Sequence, residues 1–397
     1  MSTVSGLNEV VIVSTCRTPI GSFRKSLAAC SATSLGSVAI REAVARANIP
    51  PEAVQEVYMG QVIQAAGGQA PARQAALGAG LSTKTPCTTI NQVCASGMKA
   101  IMLAAQNLMC GQQEVMVAGG MESMSNVPFY MLRQEPAYGG VQLLDAIVHD
   151  GLWDVYNKCH MGNCTENTVK KMGISREAQD QYATESYTRS QRAAESGVFK
   201  AEIVPVSVPG KGRGSPELQV SEDEEYMRVD FAKFAKLRPA FVKEGGTVTA
   251  ANASTLNDGA SAMVLTTRQA AERLGAKPIA RIIGFADAAT DPIDFPIAPA
   301  FAVPKLLEQT GVKKEDVAMW EINEAFSAVA LANLKMLDLD PAKVNVNGGA
   351  VSIGHPIGMS GARITGHLAL NLKPGEKGVA AICNGGGGAS AIMIERL

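Results

Sequence analysis

The chain has 397 residues, 46% of them hydrophobic, 18% charged and only 5% aromatic. That length calls for more than one ordinary core, and a content dominated by small residues suits closely packed α/β layers rather than a disordered chain. The formal net charge of −1 leaves no basic footprint for nucleic acid, and no apolar run reaches the ~18–20 residues of a membrane span.

The first residues, "MSTVSGLNEV", lack the basic region, apolar core and cleavage site of a secretory signal, and they are not an Arg-rich transit peptide. They are compatible with a mature form whose leader has been removed. "EVVIVSTCRTP" opens with an unbroken β-branched run and is predicted to be a buried strand. "SLGSVAIREAVARANIP" follows with Leu35, Val38, Ala39, Ala43, Val44 and Ala47 at helical spacing, predicting an amphipathic helix that ends before Pro50. Strand followed by helix recurs along the chain, which points to α/β layering.

The chain also resembles itself. "IPPEAVQEVYMG" echoes "VKKEDVAMWEIN", with Glu52 matching Glu315; "CASGMKAI" echoes "GMSGARIT", with Ser96-Gly97 matching Ser360-Gly361; "VMVAGG" echoes "VAAICNGG", with Val115 matching Val379. The three matches run in the same order at nearly one offset, so two similar α/β halves are expected. Equivalent turns of a duplicated fold meet beside a pseudo-twofold axis, where a shared site can form.

Residues 123–246 have no counterpart in the other half. They carry "SREAQDQYATESYTRSQRAAESG", a surface-helix pattern, the breaker-rich "VPGKGRGSPE", and then "SEDEEYMRVDFAKFAKLRP". An inserted lid or loop domain is expected there, with the acidic run Glu222–Glu225 as a solvated face. The halves then comprise 1–122 plus 247–272, and 273–397.

Eight cysteines are too dilute for a disulfide framework, and none has CxxC spacing. The four histidines form no HExxH, and Walker A and GxSxG motifs are absent, which disfavours zinc protease, P-loop ATPase and α/β-hydrolase. Four places join a reactive side chain to a glycine-rich turn. Cys94 lies in "INQVCASGMKA", where a strand runs into a helix whose dipole is expected to lower the thiol pKa; the alternative is a small buried hydrophobe. His355 lies among five glycines in "NGGAVSIGHPIGMSG", followed by Pro356. Asn323 in "WEINEAFSAV" reads either as a site residue or as the cap of the next helix, with Glu324 and Ser327 as other caps. Cys383 ends the apolar "GVAAIC" before four glycines, and it reads as core or as chemistry. A phosphate loop does not fit those glycines: only "ASAIMIERL" follows, enough for one strand and not for a nucleotide-cradling helix.

Taken together, "NQVCASGMKA", "VAGGMESMS", "NEAF", "NGGAVSIGHPIGMSGAR" and "CNGGGGASA" resemble the thiolase family over essentially the whole chain. "HMGNCTENT", "SYTRS", "EDEEYMRVDF", "TAANAST" and "DFPIAP" resemble its short-chain acetoacetyl-CoA branch, of the mitochondrial, potassium-responsive kind. The resemblance implies two βαβαβαββ halves in five αβαβα layers, a loop domain inserted in the first, and a homotetramer. It implies reversible acetyl transfer: two acetyl-CoA to acetoacetyl-CoA plus CoA, by a ping-pong acetyl-cysteine route, with 2-methylacetoacetyl-CoA also accepted because Phe295-Pro296 matches the dipeptide of such enzymes.

In that reading Cys94 is the nucleophile, His355 its proton acceptor, and Cys383 the acid/base at the acetyl carbon. Asn323 holds a water that forms one oxyanion hole with His355, and the N–H groups of Cys94 and Gly385 form the other. Coenzyme A falls to Tyr187, Arg228, Val229, Asp230, Lys233 and Ser254, with His160, Met161 and Phe295 around the acyl group. Potassium falls to Tyr187, Ala250, Ala251, Ala253 and Val351, and no redox cofactor is implied. The implied compartment is the mitochondrial matrix, with the cytosol as the alternative. Ser352-Ile353, Met359 and Asn384 depart from the commoner biosynthetic pattern, which bears on pocket shape. Two other readings are a broad-range 3-ketoacyl-CoA thiolase and a non-catalytic acyl-CoA-binding relative. A redox switch at Cys94 is compatible with catalysis.

Overall fold

The computed structural model describes residues 6–133, 135, 138–210 and 215–397. Part of the breaker-rich loop, residues 211–214, and the first five residues lie outside the described set. In chain order the first elements are β1 (Val10–Arg17), β2 (Gly21–Ser22), α1 (Ala32–Ala47), β3 (Glu56–Gly60), α2 (Pro71–Gly78), β4 (Cys87–Ile90), α3 (Ser96–Met109) and β5 (Val115–Ser123). The chain then leaves the main sheet. It forms two short antiparallel pairs, β6 (Phe129–Tyr130) with β7 (Leu144–Asp145) and β8 (Trp153–Asp154) with β9 (Cys159–His160). Helices α4 (Met161–Met172) and α5 (Arg176–Glu195) follow, then a third pair, β10 (Val206–Val208) with β11 (Leu218–Val220). It returns with β12 (Asn257–Thr267), α6 (Arg268–Leu274), β13 (Ala280–Ala289), α7 (Pro299–Thr310), β14 (Val317–Ile322), α8 (Ser327–Leu337), α9 (Ala350–Ile353), α10 (Ile357–Asn371), β15 (Lys377–Asn384) and β16 (Gly388–Arg396).

The expected first helix is α1, started by the Ser31 side chain, which accepts the Ser34 N–H, and stopped at Asn48 in the left-handed region. Its Leu35, Ala39, Ala43, Val44 and Ala47 are buried as the spacing predicts. Glu52 and Glu315 each lie in one turn of 3₁₀ helix that leads into a strand, β3 and β14 respectively.

The strand order is β14-β15-β16-β13-β1-β12-β5-β3-β4, with β2 paired to β12. Read outward from the β1–β13 junction, the two sides are the same. β1, β12, β5 and β3 correspond to β13, β16, β15 and β14, and an isolated Trp320–Val344 bridge stands where β4 stands. The junction is held by only two residue pairs, Val11–Arg281 and Ile12–Ala280.

Three apolar cores separate five layers. Leu35, Ile40 and Val44 of α1 pack on Val57, Val117 and Val264 of the first sheet half. Met98, Ile101 and Leu108 of α3 join Ile364 and Leu368 of α10 in the central core, against Met116 on one side and Ile382 on the other. Val303 and Leu306 of α7 cover Trp320, Val379 and Met393 on the far face. Each fully buried large aliphatic chain contributes about 1.5–3 kcal/mol. Helix α10 is buried on almost every side, as a helix that is apolar and small all round must be.

Helices α3 and α10 start side by side. A Cβ on Gly97 would lie 2.8 Å from the Gly358 carbonyl oxygen, and one on Gly361 would lie 2.6 Å from the Met98 nitrogen. The repeated Ser-Gly pair is therefore the point where the two halves touch backbone to backbone.

The acidic run corrects one expectation. Asp223 is fully buried, and it takes a two-pronged ion pair from Arg17 at 2.7 and 2.9 Å. Glu224 accepts the Ser22 N–H at 2.7 Å, and Glu225 accepts the Asn257 side chain at 3.1 Å. This stretch pins the inserted segment to the first half, and of the four acidic residues only Glu222 is exposed. Arg17, its main partner, is far away in sequence, so local charge patterning could not reveal it.

Candidate active site

Cys94 sits at the apex of a tight turn between β4 and α3. The preceding Val93 has φ 47°, a left-handed value that a β-branched residue adopts only when its surroundings hold it there. Ser96 supplies that hold: its Oγ accepts the Gln92 N–H at 2.9 Å and donates to the Val93 carbonyl at 2.6 Å. Asn91 adds a further brace, accepting the Val93 N–H at 3.0 Å.

The expected depression of the Cys94 pKa does not occur. The residue precedes the first helical residue by two positions, and burial pushes its thiol up to about 12, outweighing the N–H groups of Gly385 and of Cys94 itself. The thiol rests protonated, so attack requires a base.

His355 lines the same cavity as Cys94. It follows Gly354, whose φ of 104° lets the chain turn out of α9. Its N–H is held by Asn257 Oδ1 at 2.9 Å. The Ser360 hydroxyl donates to the Pro356 carbonyl at 3.0 Å, which leaves its oxygen to accept from His355 Nδ1 at 2.6 Å. This pattern assigns the proton to Nδ1 and the lone pair to Nε2. Nε2 is buried without a protein partner among the described residues. Burial, with Arg363 adding to it, pushes the imidazole pKa down to about 3, so the ring is neutral at pH 7.

Cys383 is fully buried at the end of β15, packed with Met161, Phe295 and Phe326. Burial and the neighbouring Cys94 hold its thiol well above the ordinary range. The glycines after it make the β15–β16 hairpin: Asn384 pairs with Gly388, and Gly386 and Gly387 both have φ 85°. The Gly387 carbonyl accepts the Thr290 N–H at 2.8 Å, which ties the turn to the end of β13.

Asn323 follows β14 and donates its N–H to the Ala381 carbonyl at 2.9 Å. It does not cap α8, which starts at Ser327 after Phe326. Both polar atoms of its side chain are buried without a protein partner among the described residues. Glu324 is buried too, accepting from Tyr182, Ser186, Asn345 and the Val351 N–H at 2.7–3.1 Å.

A cavity of about 600 Å³ joins these elements; Cys94, His355 and Gly385 line it together with His160, Met161, Phe295, Arg228 and Ser254. Ser254 donates its hydroxyl to the Ala325 carbonyl at 2.8 Å. Tyr187 is buried near the cavity, in edge contact with Phe231 and Phe234. Val229 packs in the same cluster as Tyr187. Asp230 and Lys233 pair with each other at 3.0 Å on the outside. These last four do not line the cavity.

Of the residues expected to hold potassium, Tyr187, Ala251 and Val351 share one buried cluster, while Ala250 and Ala253 line the cavity beside it. A phenol hydroxyl and backbone carbonyls are hard oxygen donors, which fits a hard monovalent cation.

Sequence reasoning missed three contributors. Phe241 stacks on His160 with centroids 4.8 Å apart and meets Phe326 edge-on, forming a cavity wall. Glu122 accepts N–H groups from Val62, Ile63 and Gly358 at 3.0–3.2 Å, tying the start of α10 to the loop after β3. Burial pushes its carboxyl up to about 7 despite those donors. Asn257 holds the His355 backbone. "VAGGMESMS" contained Glu122, but nothing local marked its partners.

A thiol, a neutral imidazole and a backbone donor around one largely apolar cavity suit acyl transfer at a thioester. Residues 10–269 match the thiolase N-terminal domain and residues 276–396 the thiolase C-terminal domain. The chain belongs to the thiolase family.

Within the family, it is 69% identical over 391 residues to a Xenopus tropicalis protein named acetyl-CoA acetyltransferase, mitochondrial, covering 98% of this chain and 93% of that protein. The human protein of the same name is 66% identical, covering 98% of this chain and 91% of that protein. A crystal structure of an Ascaris suum thiolase in complex with coenzyme A superposes with a TM-score of 0.95 at 49% identity, covering 98% of this chain and 100% of that one. The Bacillus anthracis acetyl-CoA acetyltransferase superposes at 0.94 with 42% identity, covering 99% and 100%. The five-layered fold read from the sequence is the fold observed.

Proposed function

We propose that this chain is an acetyl-CoA C-acetyltransferase, interconverting two acetyl-CoA with acetoacetyl-CoA plus CoA and also accepting 2-methylacetoacetyl-CoA. The names of its relatives support the activity. The observation that carries it is the unpartnered Nε2 of a neutral His355 on the cavity that Cys94 also lines.

In thiolysis, His355 Nε2 takes the Cys94 proton as Sγ adds to the 3-keto carbon. The C2–C3 bond breaks, and the departing carbanion takes the proton of Cys383, giving acetyl-CoA. A thiol held protonated by burial is suited to that donation. The incoming CoA thiol then yields its proton to the Cys383 thiolate and attacks the acetyl group on Cys94. The released Cys94 thiolate recovers its proton from His355, and all three groups return to their starting states. Condensation is the reverse. The N–H groups of Cys94 and Gly385 would hold one oxyanion, and His355 with a water on Asn323 would hold the other.

The inserted segment 123–246 would carry coenzyme A, with Arg228, Val229, Asp230, Lys233, Tyr187 and Ser254 near its pantetheine and phosphates. His160, Met161 and Phe295 would confine the acyl group. Tyr187, Ala250, Ala251, Ala253 and Val351 would hold a potassium ion through hydroxyl and carbonyl oxygens, stiffening the 250–253 loop against α9. A homotetramer is proposed, supported by exposed apolar side chains in the inserted segment such as Phe129 and Leu143, 65% and 57% exposed. The mitochondrial matrix is the proposed compartment, in keeping with the relatives' names. Among the described residues no helix is long and apolar enough to cross a membrane.

The test is a panel of acetoacetyl-, 2-methylacetoacetyl- and longer 3-ketoacyl-CoA substrates, with mass spectrometry for an acetyl group on Cys94. Preference for the four-carbon substrates with an acetylated Cys94 is expected. A preference for long chains would favour the broad-range reading, and no acetylation would favour an acyl-CoA-binding protein.

A further inference from the structure

Outside the catalytic cavity, one cluster of ligand-type side chains has no role in the chemistry above. Asp154 and Cys159 are cross-strand partners in the β8–β9 pair. Cys164 comes from the first turn of α4, immediately after that pair. Their ligand atoms all lie within 4.8 Å of one another. We propose that Asp154, Cys159 and Cys164 form a binding site for a soft divalent cation of the zinc class, with two thiolates and a carboxylate as ligands and water as the fourth.

Three observations carry this. The first is spacing: the two sulfurs are 3.6 Å apart, and Cys164 Sγ lies 3.7 Å from Asp154 Oδ2. Two thiolates each about 2.3 Å from a tetrahedral zinc are about 3.8 Å apart, and a thiolate and a carboxylate oxygen about 3.5 Å apart. Two of the three donor separations therefore match edges of a zinc tetrahedron before any ion arrives, and the third is within 4.8 Å.

The second is orientation. Asp154 Oδ1 accepts the Tyr156 and Asn157 N–H groups at 2.9 and 3.3 Å, and Oδ2 accepts the Asn157 side chain at 2.7 Å. These contacts aim the carboxylate as an outer shell aims a metal ligand.

The third is charge. Asp154 is 2% exposed, and no cationic side chain is paired with it among the described residues. A buried carboxylate facing two thiols attracts a cation. On binding, each thiol releases one proton to solvent as its metal–sulfur bond forms.

The site has a consequence for the cavity. His160 and Met161 line the acyl space and lie between the two cysteines in sequence, and the Gly162 N–H bonds His160 Nδ1 at 3.1 Å. An ion on Cys159 and Cys164 would clamp both ends of that wall.

The full chain, reduced and metal-free, is titrated with Co²⁺ and then with Zn²⁺. Thiolate-to-cobalt charge-transfer absorption saturating at one ion per chain is expected, with release of two protons per Zn²⁺. The signal should persist in Cys94→Ser, which removes the catalytic thiol from competition. Cys159→Ser alters a half-buried position and should fold; it should lose the band and weaken Zn²⁺ by on the order of 100-fold, with Asp154→Asn weakening it by about 10-fold. Zn²⁺ should raise the melting temperature of the unsubstituted chain and not that of Cys159→Ser. A band that survives Cys159→Ser, the absence of any band, or recovery of a Cys159–Cys164 disulfide in place of the metal complex would overturn the proposal.

Discussion

The two halves repeat one fold but divide the chemistry, and two serines display the difference. Ser96 and Ser360 occupy matching places at the starts of α3 and α10. Ser96 spends its hydroxyl on the backbone, bracing the turn that presents Cys94. Ser360 uses the same hydroxyl on a side chain, fixing the proton of His355. In the proposed mechanism the first half thus supplies a strained backbone and the nucleophile. In the same mechanism the second supplies an oriented base, a buried acid and an amide without a protein partner among the described residues. The repeat places two equivalent turns at one joint.

That division can be broken experimentally. Cys94→Ser should abolish the acyl-enzyme and lower turnover by at least about 10⁴-fold, read by steady-state kinetics and mass spectrometry. Cys383→Ala should lower condensation by about 10²–10⁴-fold while Cys94 can still be acetylated by acetyl-CoA; retained full turnover would remove Cys383 from the mechanism. Ser360→Ala should cost about 10–100-fold in kcat by freeing the imidazole tautomer, with Thr partly restoring it. Ser96→Ala should mainly cost stability, about 1–3 kcal/mol, because it unbraces a buried turn. Equal kcat losses in the two serine variants would refute the division of labour.

Stability should also carry the mark of His355. The folded ring binds a proton only near pH 3 and the unfolded ring near 6.5. The unfolded state therefore takes up the proton first as pH falls. Stability is complete above pH 6.5 and declines below it, by about 2 kcal/mol at about pH 5. His355→Asn should flatten this slope in denaturant titrations at several pH values. The smallest expected effect is ionic: replacing Na⁺ with K⁺ should raise activity, and indifference to the exchange would remove the cation from the loop at Ala250–Ala253.

Much of this was legible in the sequence because it is local. Strand-to-helix turns and glycine runs mark Cys94, His355 and Cys383, and the serine-glycine repeat marks the joint between halves. What was not legible depends on partners that only the topology brings together. Asp223 looked solvated because Arg17 lies at the other end of the N-terminal half. Phe241 sits in an ordinary loop until α4 places His160 beneath it. The Cys94 thiol was misjudged because the helix dipole can be read from the pattern, whereas desolvation cannot.

The close approach of Gly97 to Gly358 and of Gly361 to Met98 has a mechanical reading. Cys94 and His355 hang from the two sides of one rigid pin, each only a few residues away from it. Errors of position do not accumulate along the long stretch of chain between them. A single methyl group at either glycine would act as a shim, moving Cys94 and His355 apart without touching either. Gly97→Ala and Gly361→Ala would therefore make sensitive gauges of how closely thiol and imidazole must be registered for acyl transfer.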